Sequence, residues 1–308
     1  MTARPGDAVL ETRVAVRAYA PRTRERPEPR VYDAARLAIV LDTETRTDHA
    51  QALLAASYQI REVSGKLRQE GLIHGEVTVA EMAILEQYVA DHPSANGGHL
   101  RLHSRRTFLR EVFWPIAYKS RARVVGFNLP FDLSRLAYAW SRARDGGFRL
   151  ELFESIDADG VIWPDRYRPA IRIKTISSRQ QFISFVAPAT LDAGAREDGR
   201  VYRGRFLDLH MLAYALTDKS LSLDRAAREF GLEVGKGAVA EHGLLTPEYI
   251  DYNRRDVDVT WALHQALVAE WDRHPIPLAP EQGYSAAAVG KAYLAAMGIR
   301  PPAERSDV

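Results

Sequence analysis

Leu37-Ala38-Ile39-Val40-Leu41 is an unbroken apolar run that ends on Asp42-Thr43-Glu44. A run of this length without polar alternation suits a strand covered on both faces. Such a strand needs a sheet with a layer on each side, and so a chain with apolar segments to spare. With 308 residues and a hydrophobic fraction of 46%, this chain has them, enough for one large domain or two ordinary ones. Residues two apart on a strand project from one face, so Asp42 and Glu44 stand side by side. Bare, the two carboxylates repel each other, and a divalent cation between them removes that cost. An exposed Asp-x-Glu at a strand end is the plainer alternative. The apolar run before it favours a site, because open α/β sheets place ligands at the ends of central strands.

The remaining segments fit a mixed sheet. Residues 52–63 and 71–75 predict two strands joined by a turn at Ser64-Gly65-Lys66, beside the first. Residues 79–89 have helical spacing, and 91–98 are a breaker loop. Thr107 to Tyr118 predicts a helix in its first half, and Val124 to Phe127 a short buried strand. Asp132 to Ala143 predicts a helix with Leu133, Leu136, Ala137 and Trp140 on one face. Strands are expected at 148–153, 171–176, 182–186 and 206–209, and a helix at 223–230 closed by Gly231. The longest helix is expected from Pro247 to Trp271, with Thr246 as cap and Glu248 in the first turn. A last helix is expected within 284–298. Residues 1–35 read as a basic arm, with three prolines between Pro21 and Arg30 and a short strand at Val14 to Tyr19. The expected division is 1–35 arm, 36–272 main domain and 273–308 helical tail. The fold class is α/β, a mixed sheet flanked by helices.

Two further motifs carry acids. Gly126-Phe127-Asn128-Leu129-Pro130-Phe131-Asp132 follows a strand and opens a helix. Asp132 there is either a functional acid or an ordinary helix-start aspartate, and Phe131 is either core or a surface for a base. Tyr252 and Asp256 are four apart on the long helix, hence on one face. Asp258 lies close by, but Arg254 rather than a tyrosine precedes it by four.

Net charge is only +2, yet 36 of the 42 basic residues are arginine. A guanidinium fork suits phosphate, while a GC-rich coding sequence gives the same surplus. One basic cluster lies within 13–30, and another runs from Arg101 through Arg105 and Arg106 to Arg123. Either is a solvated face or a nucleic-acid track. There is no cysteine, which removes disulfides and thiol chemistry and fits a reducing compartment. No apolar stretch approaches the roughly 20 residues of a membrane span, and the N-terminus lacks a signal-peptide core. The expected location is the cytoplasm.

Taken in order, Asp42-Thr43-Glu44-Thr45, Asn128-x-x-Phe131-Asp132 and Tyr252-x-x-x-Asp256 resemble the motifs of the DEDD superfamily of 3′–5′ exonucleases, in its DEDDy branch. The wording is most similar to the proofreading exonuclease domain of family B DNA polymerases, over about 37–272. Two further stretches are similar. Leu207-Asp208-Leu209 with Leu221 to Asp224 resembles the approach to the third motif. Residues 284–294 loosely resemble a stretch of phage and mobile-element polymerase-like proteins. The resemblance implies a ribonuclease-H-like fold and two Mg2+ or Mn2+ ions. Asp42 would bridge them, Glu44 and Asp256 would complete one site, and Asp132 would help hold the other. Oxygen-only ligands agree with those metals. Tyr252 would position the attacking water, and Asn128 would orient Asp132 or touch the terminal nucleotide. Phe131, Arg105 and Arg106 are the other candidates for contact with nucleic acid. The implied substrate is a single-stranded DNA 3′ end, released as nucleoside 5′-monophosphates. An RNA exonuclease and a non-catalytic nucleic-acid-binding module are the alternatives. A polymerase or another nucleic-acid-processing protein is the implied partner. The chain ends at Val308, so a stand-alone nuclease and a piece of a longer polymerase-like protein both remain open.

Overall fold

The computed structural model describes residues 35–143, 146–177, 179–188, 190, 201–233 and 242–299. The arm at 1–34, with its expected strand at Val14 to Tyr19, lies outside them. The apolar run forms β1 (Leu37–Thr45). It pairs antiparallel with β2 (Leu53–Glu62), which pairs antiparallel with β3 (Leu67–His74). Ala38 to Leu41 are wholly inaccessible to solvent, as a run without alternation requires. β4 (Arg101–Ser104) adds parallel to β3, so part of the second basic cluster is an edge strand. On the other side of β1, β5 (Arg123–Gly126) and β12 (Arg205–Asp208) continue the sheet in parallel. The order β12-β5-β1-β2-β3-β4 is a mixed sheet, compatible with the ribonuclease-H-like arrangement expected from sequence.

Both faces are covered. On one, Ile39 and Leu41 pack with Phe108, Phe113, Leu129 and Leu133. These come from the π-helix (Phe108–Lys119) that continues α2 (Arg105–Thr107), and from α3 (Leu129–Leu136). On the other face, Ala38 and Val40 pack with Leu212, Val257, Trp261 and Leu267. These belong to α4 (Leu209–Thr217) and the long α6 (Pro247–Asp272). Between them in sequence is α5 (Leu223–Glu229), and α1 (Val79–Asp91) packs near β3. In the tail, α7 (Ala286–Ala296) is tied back by a 2.6 Å hydrogen bond between His274 Nδ1 and the Tyr293 hydroxyl.

A second, four-stranded sheet of order β11-β10-β7-β6 stands beside the first. Its strands are β6 (Ala139–Arg142), β7 (Phe148–Glu151), β10 (Ile171–Ser177) and β11 (Gln180–Phe185), with β8 (Glu154–Ile156) and β9 (Ile162–Pro164) forming a separate hairpin. Residues 132–143 do not form the one helix that their spacing predicts. The helix expected over 132–143 begins earlier, at Leu129, and ends at Leu136. Ala137 is already extended, the Tyr138 N–H donates to Glu151 O at 3.0 Å, and 139–142 pair with 148–151. Gly147 has φ +86, and a Cβ there would lie 2.2 Å from Ile173 O, so a glycine is required at this turn. Trp140 is therefore not on a buried helix face but 68% exposed. The helix expected only in the first half of 107–118 runs further, through Pro115 to Lys119, as a π-helix closed by Ser120 N–H to Pro115 O at 2.9 Å. A proline ring strikes the carbonyl four residues back in an α-helix, and the wider π turn moves that carbonyl aside.

Candidate functional site

The ends of β1 and α6 build the site. Thr246 Oγ1 accepts from Tyr249 N–H at 3.2 Å and starts α6 where the sequence signals it. From there Tyr249, Tyr252, Asn253 and Asp256, at i, i+3, i+4 and i+7, share the face turned to β1. The Tyr249 hydroxyl donates to Glu44 Oε2. Asn253 Nδ2 donates to Asp42 Oδ2 at 2.7 Å. The Tyr252 hydroxyl donates to Asp256 on its own helix. Carboxylate oxygens of Asp42, Glu44 and Asp256 all lie within 4.8 Å of one another.

Asp132 is set from the other side. It sits in the first turn of α3 and is 2% exposed. Its Oδ1 accepts from Thr43 N–H at 3.1 Å and from Thr43 Oγ1 at 2.8 Å. Its Oδ2 is buried without a hydrogen-bond partner. Thr43, the middle residue of Asp-x-Glu, thus aims the acid of the second motif.

Burial and mutual repulsion make these acids resist ionisation. Burial, then the charges of Asp132, Asp256 and Glu44, push the Asp42 carboxyl well above the usual carboxylate range. Burial likewise raises Asp132 well above that range. It raises Glu44 too, against the opposing pull of Tyr249 and His242. Asp256 is pushed up to about 6, by burial first and by Glu44, against the hydrogen bond from Tyr252. Three carboxylate oxygens within 4.8 Å of one another, with the charge of a fourth acid, Asp132, acting on Asp42, fit a hard cation. The cluster can bind a metal ion.

α6 is locked in register by its opposite side. Arg254 Nε donates to Glu70 Oε1 at 2.9 Å, and its other nitrogens reach Tyr88 Oη and Pro93 O. Glu70 is 2% exposed and also accepts from Ser94 Oγ and Ala95 N–H. Burial raises its carboxyl, but these bonds outweigh burial and hold it below its ordinary value. Glu70→Ala strands the Arg254 charge, so a loss of about 3–5 kcal/mol is expected in urea unfolding. A loss under 1 kcal/mol would show the lock to be unimportant. Asp258 is occupied elsewhere, accepting from Gln59 Nε2 at 2.8 Å and Arg61 at 3.3 Å, which leaves Asp256 as the acid of the site.

The remaining candidates line clefts along α3. Asn128 is exposed, in the left-handed region at φ 70, with its N–H donating to Asp208 Oδ1 at 3.2 Å. It shares a cleft of about 520 Å3 with Phe131, Trp140 and Phe148. Phe131 is half-buried, with the Arg135 guanidinium 4.5 Å from its ring centre. Arg105 and Arg106 both face Glu154, at 3.7 and 3.5 Å, and line a neighbouring cleft of about 450 Å3. Ser134 and Arg135 belong to both clefts. Sequence reasoning overlooked Thr43, Tyr249, Asn253 and His242, whose ring lies 6.2 Å from that of Tyr252. Helical spacing back from Asp256 could have found Tyr249 and Asn253; nothing local marks Thr43 or His242.

No protein-family model matches the chain, and no curated protein matches it. Among the described residues, no helix is long and apolar enough to cross a membrane.

Proposed function

We propose that this protein is a metal-dependent 3′–5′ exonuclease that removes nucleoside 5′-monophosphates from single-stranded DNA. The observation that carries the reading is the convergence of Asp42, Glu44 and Asp256, with Asp132 beside them acting most strongly of the three neighbouring acids on Asp42. Asp42, Glu44 and Asp256 would hold one Mg2+ or Mn2+ ion, and Asp42 with Asp132 a second. When bound, such ions supply positive charge to the attacked phosphodiester and lower the pKa of water. The chain's own residues do the rest. Thr43, Asn253 and Tyr249 hold the acids in place through the hydrogen bonds described. The Tyr252 hydroxyl, anchored on Asp256, orients the attacking water. The cleft at Asn128 and Phe131 takes the terminal nucleotide, and Arg105, Arg106 and Arg135 supply positive charge beside the strand.

A 5′-labelled DNA oligonucleotide with Mn2+ should shorten stepwise from its 3′ end, and a blocked 3′ end should stop it. Internal cleavage of the blocked strand would exclude the exonuclease reading, and faster loss of an RNA strand would move the substrate to RNA. Tyr252→Phe should slow release roughly 10- to 100-fold by misplacing the water, with metal affinity unchanged in calorimetry. Metal affinity reduced as far as in Asp256→Ala would make Tyr252 a structural support of the ligand set instead.

A further inference from the structure

The loop entering α6 brings a histidine to the site. Gly243, the residue after His242, has φ +83, and a Cβ there would lie 2.6 Å from Thr47 Cγ2. A glycine therefore lets this loop close on the segment that follows β1. The Gly243 N–H donates to the Tyr249 hydroxyl, the same hydroxyl that donates to Glu44. His242 is held beside that clamp. Its ring centre lies 6.0 Å from that of Tyr249 at an interplanar angle of 81°, and 6.2 Å from that of Tyr252 at 84°. The two tyrosine rings are nearly parallel, 6.4 Å apart, so the imidazole stands upright against both. Edge-to-face contacts at such separations are attractive and favour one ring orientation. His242 is exposed to solvent, yet its charge pulls on Glu44 against the effect of burial. Arg255 pulls on Asp256 in the same way, but it directly precedes Asp256 on α6 and so points about 100° away around the helix.

The donors already described are spent on the acids. The Tyr249 hydroxyl donates to Glu44, the Tyr252 hydroxyl to Asp256, and Asn253 Nδ2 to Asp42. Ionised carboxylates only accept. We propose that His242 is a further catalytic residue, which donates a ring N–H to a non-bridging oxygen of the scissile phosphate beside Glu44 and Tyr252. The proposal rests on the exonuclease reading. In phosphoryl transfer, charge spreads over the three equatorial oxygens of the phosphorus, and a donor placed before the reaction stabilises it. Neutral and protonated imidazole both carry an N–H, so the contact needs no change of protonation.

The test compares two variants of the full chain on the dinucleotide pTpT with Mn2+. His242→Phe keeps a ring against the tyrosines and removes the donor, whereas His242→Gln keeps a donor and removes the ring. His242→Phe should lower kcat about 100-fold and raise KM less than about tenfold, because the contact strengthens as charge builds on the phosphate. His242→Gln should keep kcat within about tenfold of the wild type. Calorimetry with dTMP in Mn2+ reads the same contact without turnover. There His242→Phe should bind dTMP about tenfold more weakly, as for loss of one hydrogen bond to a charged group, and should bind Mn2+ alone as the wild type does. Wild-type kcat in His242→Phe would overturn the proposal. So would a kcat loss in His242→Gln as large as that in His242→Phe, which would make the histidine a packing support for the tyrosines. If the wild type releases no nucleotide from pTpT, the exonuclease reading fails, and the dTMP titration still decides whether His242 contacts a phosphate. Equal dTMP affinity in His242→Phe and the wild type, or no dTMP binding by the wild type, would overturn that contact.

Discussion

Asp42→Asn is expected to lower nucleotide release by on the order of 10³-fold or more while making the metal-free protein more stable. Both effects have one origin. Asp42 touches every other acid of the site electrostatically, with Asp132, Asp256 and Glu44 all raising its pKa. On the proposed exonuclease reading, removing its charge would delete a ligand common to both metal positions, and with it charge stabilisation at the reacting phosphate. It also removes a charge that burial penalises and neighbours repel. The asparagine keeps the shape and can still pair with Asn253, whose Nδ2 lies 2.7 Å from Asp42 Oδ2. Urea unfolding in EDTA at pH 7, alongside release from a labelled oligonucleotide, measures both. Unchanged turnover would remove Asp42 from the chemistry. A variant that is less stable than the wild type without metal would show that the four acids are not in conflict.

Relative to Asp256→Asn, the metal-free protein should lose stability as the pH rises from about 4 to 7, and Mn2+ or Mg2+ should restore it. The folded pKa of Asp256 is raised from 3.8 to about 6. Its contribution is therefore fully present below the unfolded value and lost as pH rises through the folded one. A shift of that size corresponds to about 2–3 kcal/mol. Asp42, Glu44 and Asp132 are raised too and add to the same slope. His264 acts in the opposite sense. Burial, then Arg123, lowers its pKa to about 3, so its contribution is present above pH 6.5 and lost as pH falls. Comparing wild type with Asp256→Asn separates the two, since only the carboxyl slope differs. At a metal concentration a hundredfold above Kd, about 2.7 kcal/mol should return, and the gain should shrink below pH 6 as protons compete for the carboxylates. A wild-type melting temperature in EDTA that is flat from pH 4 to 7 relative to Asp256→Asn, or unmoved by metal at pH 7.5, would contradict the grouping.

The frame of the fold follows from local pattern. An apolar run of strand length without alternation suits a strand covered on both faces, and Ala38 to Leu41 lie in such a strand. Turn residues at 64–66, the cap at Thr246 and the 3.6-residue spacing of α6 are local signals, and local physics decides them. The pairing of Asp42 with Glu44, and of Tyr252 with Asp256, follows from strand and helix geometry alone, and both pairs lie where that geometry places them. Tertiary structure decided what depends on a distant partner. Residues 139–142 have helical spacing, yet they form a strand because 148–151 offers a backbone to pair with. Arg105 and Arg106 read as a charge run, and only the fold sets them against Glu154 and on a cleft beside Arg135. Asp132 is separated from Thr43 by 89 residues, and no local pattern could have joined them. A buried carboxylate takes its orientation from whichever donors the packing brings to it, and those donors are chosen by the whole chain rather than by its neighbours in sequence.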